Sequence, residues 1–121
     1  DDEDILIFGD GSTSRDFCYV DNVVEANILA AVSESARSKV FNVALGDSTS
    51  LSQLSSYIFD SLKGESIFSK SKIKYLAERK GDVKHSRADI TKIKNELGFE
   101  GKVHIDEGLK KAVRYYVDNL D

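Results

Sequence analysis

Apolar positions along the chain come as short continuous blocks and as stripes at helical spacing. Ile5-Leu6-Ile7-Phe8 is a continuous run and predicts a buried strand. Val20, Val23, Val24, Asn27, Ile28 and Ala31 follow at helical spacing. Ala30 and Val32 widen that face, so the pattern predicts a well-buried helix over 20–32, with Asp21 as its N-cap. Val40 to Leu45 reads as a second strand, stopped by Gly46-Asp47. Ser50-x-x-Gln53 is a capping box, opening a helix that carries Leu51, Leu54, Ile58, Phe59 and Leu62. Ile73 to Leu76 predicts a short strand. Asp89 caps a short helix with Ile90, Ile93 and Leu97, ended by Gly98. The last helix carries Ile105, Leu109, Ala112, Val113, Tyr116, Val117 and Leu120. The stretches between are polar: a turn over Gly9 to Thr13, an extended piece over Arg15 to Tyr19, and loops over 35–39, 64–72 and 78–87. Asp1 to Asp4 is an acidic stub.

Helices and short strands in alternation define an α/β or α+β chain. Three short strands make one small sheet, or extend a larger sheet outside this chain. At 121 residues the chain is one domain. The net charge of −4 argues against a general nucleic-acid binder, whose phosphate contacts need a basic surplus. Cys18 is the only cysteine, which fits a reducing compartment and excludes a disulfide framework. No run approaches the ~18 apolar residues of a membrane span. There is no methionine, so the chain is expected to be a piece of a longer protein.

Candidate chemistry concentrates in two loops. Gly9-x-Gly11-x-x-Ser14 is rejected as a dinucleotide loop. The third glycine is absent, no helix starts directly after it, and no acidic residue closes a second strand about 20 residues on. Arg15 sits among hydroxyl residues and backbone amides. A guanidinium holds a diphosphate bidentately, so Arg15 is either an anion ligand or half of an ion pair with Asp16 or another carboxylate. Arg79-Lys80-Gly81-Asp82-Val83 is the second loop. Arg79 is suited to the same anion and Asp82 to the vicinal hydroxyls of a ribose; the alternative is a solvated charged loop. His85 and His104 lack partners at metal-ligand spacing and read as surface histidines. Cys18 reads as a packed small apolar residue. No Ser/His/Asp set, paired catalytic carboxylates or Tyr-x-x-x-Lys pair occurs, so no complete catalytic constellation is present.

The run Gly9-Asp10-Gly11 through Arg15-Asp16-Phe17-Cys18-Tyr19-Val20 to Val23 and Ala26 resembles the extended short-chain dehydrogenase/reductase family. Within it the run looks most like the UDP-N-acetylglucosamine 4-epimerases of bacterial surface-polysaccharide pathways. The likeness continues through Phe41-Asn42-Val43-Ala44, Arg79-x-Gly81-Asp82-Val83, Ala88-Asp89-x-x-Lys92 and Leu97-Gly98-Phe99. It implies that residues 1–121 are the small C-terminal substrate domain. That domain has a few short strands and about four helices, from a fold of the NAD(P)-binding Rossmann-like superfamily whose Rossmann half is absent here. NAD and the tyrosine acid/base then belong upstream.

By the same resemblance, main chain at Leu6 and Phe8 meets uracil, Arg15 and Arg79 meet the diphosphate, and Asp82 meets the uridine ribose. Tyr19 and Asn42 match less clearly, as packing or bracing residues. The implied reaction is NAD-dependent 4-epimerisation of a UDP-hexose, by hydride removal at C4 and return to the other face. This chain would anchor UDP while the sugar turns, and would be inactive alone. The resemblance also implies a cytoplasmic homodimer as the full-length protein, with no nucleic-acid or membrane partner. Two readings stand beside it: a stand-alone nucleotide- or partner-binding module, and a nucleotide-sugar dehydratase or decarboxylase of the same family.

Overall fold

The computed structural model describes residues 3–119. Leu120, expected at the end of the last helical stripe, lies outside them, as do Asp1 and Asp2 of the acidic stub. In chain order the elements are β1 (Ile5–Phe8), β2 (Ser14–Arg15), α1 (Val20–Val32), a 3₁₀ turn (Glu34–Ala36), β3 (Thr49–Ser50), α2 (Leu51–Gly64), β4 (Ile73–Leu76), β5 (His85–Ser86), α3 (Thr91–Leu97) and α4 (Ile105–Asn119). The architecture is α/β.

The capping box forms as its spacing requires. Ser50 Oγ accepts from the Gln53 amide at 3.1 Å, and the Ser50 amide donates to Gln53 Oε1 at 2.9 Å. Asp89 Oδ1 accepts from the Thr91 amide at 2.9 Å, one residue ahead of α3's assigned cap, Ile90. Gly98 ends α3 at φ 67°.

The strands form two small sheets rather than one. β1 pairs in parallel with β4, Ile5 opposite Ile73 and Phe8 opposite Leu76. β2 lies between β3, antiparallel to it, and β5, parallel to it. The expected strand over Val40 to Leu45 does not form. Phe41 and Val43 pack on the core and Ala44 is buried, but the segment joins no ladder. The amides of Leu45 and Gly46 go instead to the carboxylate of Asp16. Its apolar run reported burial, which is not the same as pairing.

Two expectations for α1 are corrected. Asp21 does not cap it: the cap position is Tyr19, no side chain caps the helix, and Asp21 lies in the first turn, where a carboxylate favours the helix dipole. The helix is also not well buried. Its covered side is Asn22 and Ala26, with Leu29 and Ala30 packed on the core. The face expected inside leaves Val20, Val24, Ile28 and Val32 between 51% and 78% exposed. The helix is apolar nearly all round, and such a helix is built to be covered on more than one side.

The main core joins Ala26 of α1, Ala44, Ile90, Ile93 and Leu97 around α3, and Phe99. Asn22, 1% exposed, ties α1 to the approach of α4: its Nδ2 donates to Val103 O at 2.8 Å and its Oδ1 accepts from Val103 N at 3.1 Å. α2 packs against α4. Tyr19 rests on α4 at Gly108, where any Cβ would sit 2.8 Å from the tyrosine's own Cβ.

Candidate functional site

β1 and β4 run in the same direction, so their C-terminal ends lie together. The Gly9 amide donates to Leu76 O at 2.9 Å and closes the ladder there. Both chemistry-bearing loops leave from this end, 9–13 after β1 and 77–84 after β4. Parallel strands place ligands outside their carboxyl ends. A cavity of about 60 Å³ lies there, lined by Phe8, Thr13, Glu78, Arg79, Asp82 and Lys84.

The turn from Arg79 to Asp82 is closed by the Asp82 amide donating to Arg79 O at 3.2 Å. Its third residue, Gly81, has φ 85°, a conformation that penalises any side chain. The turn therefore sets Arg79 and Asp82 on adjoining corners. Arg79 lies with its guanidinium carbon 3.7 Å from the centroid of the Phe8 ring.

Arg15 reaches the same place from β2. Its Nη2 donates to Asp82 Oδ1 at 2.8 Å, and its Nη1 donates to Ser14 O at 2.8 Å. The pair is half in solvent, the side chains being 31% and 45% exposed. Of the two readings open for Arg15, an ion pair is present, but with Asp82 and not Asp16. Asp16 is a clasp. Its Oδ1 accepts from Leu45 N at 3.1 Å, and its Oδ2 from Gly46 N at 3.0 Å and Ala88 N at 3.2 Å.

Leu6 and Phe8 share one side of β1, and Leu6 does not line the cavity. Their main chain is placed differently. The ladder uses the amides of Ile5 and Gly9, bonded to Lys72 O and Leu76 O. By strand alternation, the amide and carbonyl of Leu6 and Phe8 point to the opposite edge of β1. Among the described residues no strand pairs with that edge.

The site thus brings together Phe8, Arg15, Arg79 and Asp82, with Leu6 further along the strand edge. Thr13, Glu78 and Lys84 were missed. Lys84 follows Asp82 by two residues and lies at the bend just before β5. Tyr19 packs on Gly108, and Asn42 Nδ2 donates to Asp89 O at 3.2 Å. Both brace neighbouring elements.

Asp10 is held below the ordinary aspartate range by the hydroxyl and then the amide of Ser12, so the first loop keeps a carboxylate at its tip. Burial, then the neighbouring Asp16, pushes the Cys18 thiol up, which disfavours the thiolate. His85 Nδ1 lies 2.9 Å from Ser14 Oγ, and His104 Nδ1 lies 2.9 Å from Asp47 Oδ2. The Gly9–Gly11 turn leads into β2 and not into a helix. That turn therefore forms no glycine-loop-to-helix dinucleotide cradle.

Solved structures share this backbone. One is a UDP-glucose 4-epimerase from Thermotoga maritima solved with UDP-glucose; it is 39% identical, with a TM-score of 0.84 over 99% of this chain and 37% of that one. A UDP-N-acetylglucosamine 4-epimerase from Methanobrevibacter ruminantium, in complex with UDP-N-acetylmuramic acid, is 38% identical, with a TM-score of 0.78 over 97% of this chain and 36% of that one. A UDP-glucuronic acid 4-epimerase from Bacillus cereus, in complex with UDP-glucuronic acid and NAD, is 26% identical, with a TM-score of 0.81 over 99% and 37%. The fold class is thus that of the extended short-chain dehydrogenase/reductase epimerases, among whose solved members NAD is the cofactor. Residues 1–112 match the model of the GDP-mannose 4,6 dehydratase family, and the chain belongs to that family. It spans 36% of the length of the first curated relative it matches.

Proposed function

We propose that residues 1–121 are the C-terminal, substrate-binding domain of an NAD-dependent UDP-hexose 4-epimerase, anchoring UDP while chemistry proceeds on residues outside this chain. One observation carries the reading: two arginines, a carboxylate and a free strand edge converge at the C-terminal ends of β1 and β4. The edge at Leu6 and Phe8 offers amide donors and carbonyl acceptors. A uracil carries the matching acceptor–donor–acceptor face. Arg15 and Arg79, from separate loops, clamp the diphosphate, and Asp82 accepts from the ribose hydroxyls. Binding energy spent on UDP, remote from the sugar, holds C4 in place through the reaction.

The hexose is UDP-glucose or UDP-N-acetylglucosamine on this reading. NAD belongs to the rest of the protein. The full-length enzyme is a cytoplasmic homodimer acting in polysaccharide biosynthesis. The exposed Val20–Val24–Ile28–Val32 stripe is where the larger domain sits, since this chain spans only 37% of the Thermotoga enzyme.

A second reading keeps the anchor and changes the chemistry to a nucleotide-sugar dehydratase or decarboxylase. It is favoured by the dehydratase description of the matched family and by a decarboxylase among the relatives. A stand-alone binding module is the third reading.

Calorimetric titration of the full-length protein with UDP, repeated for Arg15→Ala and Arg79→Ala, tests the anchor. Loss of one charge-assisted contact is expected to weaken UDP by about 1.5–3 kcal/mol. Unchanged affinity in both variants would refute the site. Turnover of UDP-glucose to UDP-galactose separates the epimerase from the other two readings.

A further inference from the structure

The two arginines of the anchor are held by opposite means. Arg15 spends N–H donors on protein acceptors, Nη2 on the Asp82 carboxylate and Nη1 on the Ser14 carbonyl. Arg79 lies on the face of Phe8, 3.7 Å from the ring centroid. Among the described residues no hydrogen bond or ion pair takes its guanidinium. A cation over a ring face is attracted by the ring quadrupole without using any N–H. All five donors therefore stay available.

The sequence explains why the stack forms. Phe8 is the last residue of β1 and stands opposite Leu76, the last residue of β4. The chain leaving Leu76 passes alongside that ring, and Arg79 is three residues on. The turn closed by the Asp82 amide and Gly81 fixes where the Arg79 backbone sits. The ring fixes where its charged end sits.

From this geometry we infer that Phe8 is a positioning residue: its side chain seats Arg79, with its donors free, for the phosphate groups of the nucleotide. The inference rests on the proposed UDP anchor. It adds a role for the Phe8 ring distinct from the main-chain contact with the base. Seating a guanidinium before the ligand arrives removes part of the ordering cost of binding.

The test compares uridine and UDP as ligands of the full-length protein by competition calorimetry. Phe8→Leu keeps apolar bulk and removes the π face, and Phe8→Tyr keeps the face. Phe8→Leu is expected to weaken UDP about two- to fivefold, leave uridine unchanged, and be rescued by Phe8→Tyr. In an Arg79→Ala background Phe8→Leu is expected to have no further effect on UDP. Equal loss of uridine and UDP, or an undiminished effect without Arg79, would overturn the inference by giving the ring a direct role with the base.

A measurement on the unmodified protein guards against a variant that misfolds. The Arg79 Nε–H proton is expected upfield of the other arginines through the ring current, and an unshifted proton would also overturn the seat. Wild-type protein that binds no UDP, or whose UDP affinity survives Arg79→Ala, would instead refute the anchor, and the inference with it.

Discussion

Arg15 and Asp82 stand 67 residues apart in the chain and meet at 2.8 Å, Nη2 to Oδ1. The resemblance assigns them to different parts of one ligand, and the fold joins them to each other without it. The pair is half exposed, so its own contribution to stability is at most about 1 kcal/mol. Arg15→Ala and Asp82→Ala should therefore leave the melting temperature nearly unchanged. Each should still weaken UDP, on the order of tenfold or more, by removing a charged ligand contact. Calorimetry with UDP and thermal unfolding of the same samples check both halves. A large loss of stability with unchanged affinity would make the pair structural.

Asp16 makes the contrasting case. It neighbours Arg15, yet it binds three backbone amides from two separate segments, 45–46 and 88. Asp16→Ala leaves those amides without their acceptor. A carboxylate accepting several amides is worth about 3 kcal/mol or more on removal. Urea unfolding should show that loss. Asp16→Asn should recover only a part of it, since an amide oxygen is a weaker acceptor and its NH₂ opposes the donors.

The fold was legible where local chemistry decides it. The Ser50–Gln53 box, the Ile5–Phe8 and Ile73–Leu76 strands, and the helix over 20–32 all stand where the pattern puts them, although the first strand, expected buried, buries only Ile7 and leaves Leu6 55% exposed. The pattern failed where a distant side chain intervened. The 40–45 segment gives its last amide to Asp16 and joins no ladder, and nothing local in its sequence announces that. Asn22 was passed over because a polar residue reads as surface, although it is 1% exposed and pairs twice with Val103. In the site, residue type and loop position marked Arg15, Arg79 and Asp82, and the family resemblance alone marked Leu6 and Phe8. Which of them touch each other depends on two parallel pairings, β1 with β4 across 68 residues and β2 with β5 across 71.

Asp89 carries a pH signature. The Thr91 side chain and then its amide hold the Asp89 carboxyl below the ordinary aspartate value. A carboxyl depressed in the folded state stabilises the fold above its unfolded pKa, and the benefit is lost as pH falls through the folded pKa. Asp89→Asn keeps an acceptor oxygen and removes the charge. Its melting temperature should lie below that of the unmodified chain at pH 6, and the gap should close as pH falls below the unfolded aspartate value of about 3.9. A constant difference across that range would assign the effect to shape and not to charge. Asp4, lowered by Lys74 and then by the Lys72 amide, should behave the same way, with added sensitivity to salt because its partner is a surface lysine.

The α1 stripe yields the last prediction. Val20, Val24, Ile28 and Val32 recur every fourth residue and are 51–78% exposed, while the opposite side of the helix carries the core residue Ala26. A contiguous apolar face of this kind in water drives association. In the longer protein the larger domain would cover it, and in this chain alone nothing described does. The isolated chain should therefore self-associate as its concentration rises, and Val24→Lys combined with Ile28→Lys should return it to a monomer without altering its helical signal, because neither residue lies in the core. In the full-length protein the same double substitution should loosen the two domains, lowering the unfolding temperature. Sedimentation velocity over a hundredfold concentration range decides the first point. A chain that stays monomeric throughout would mean that the stripe is not a covering surface, and the assignment of this face to the larger domain would fall with it.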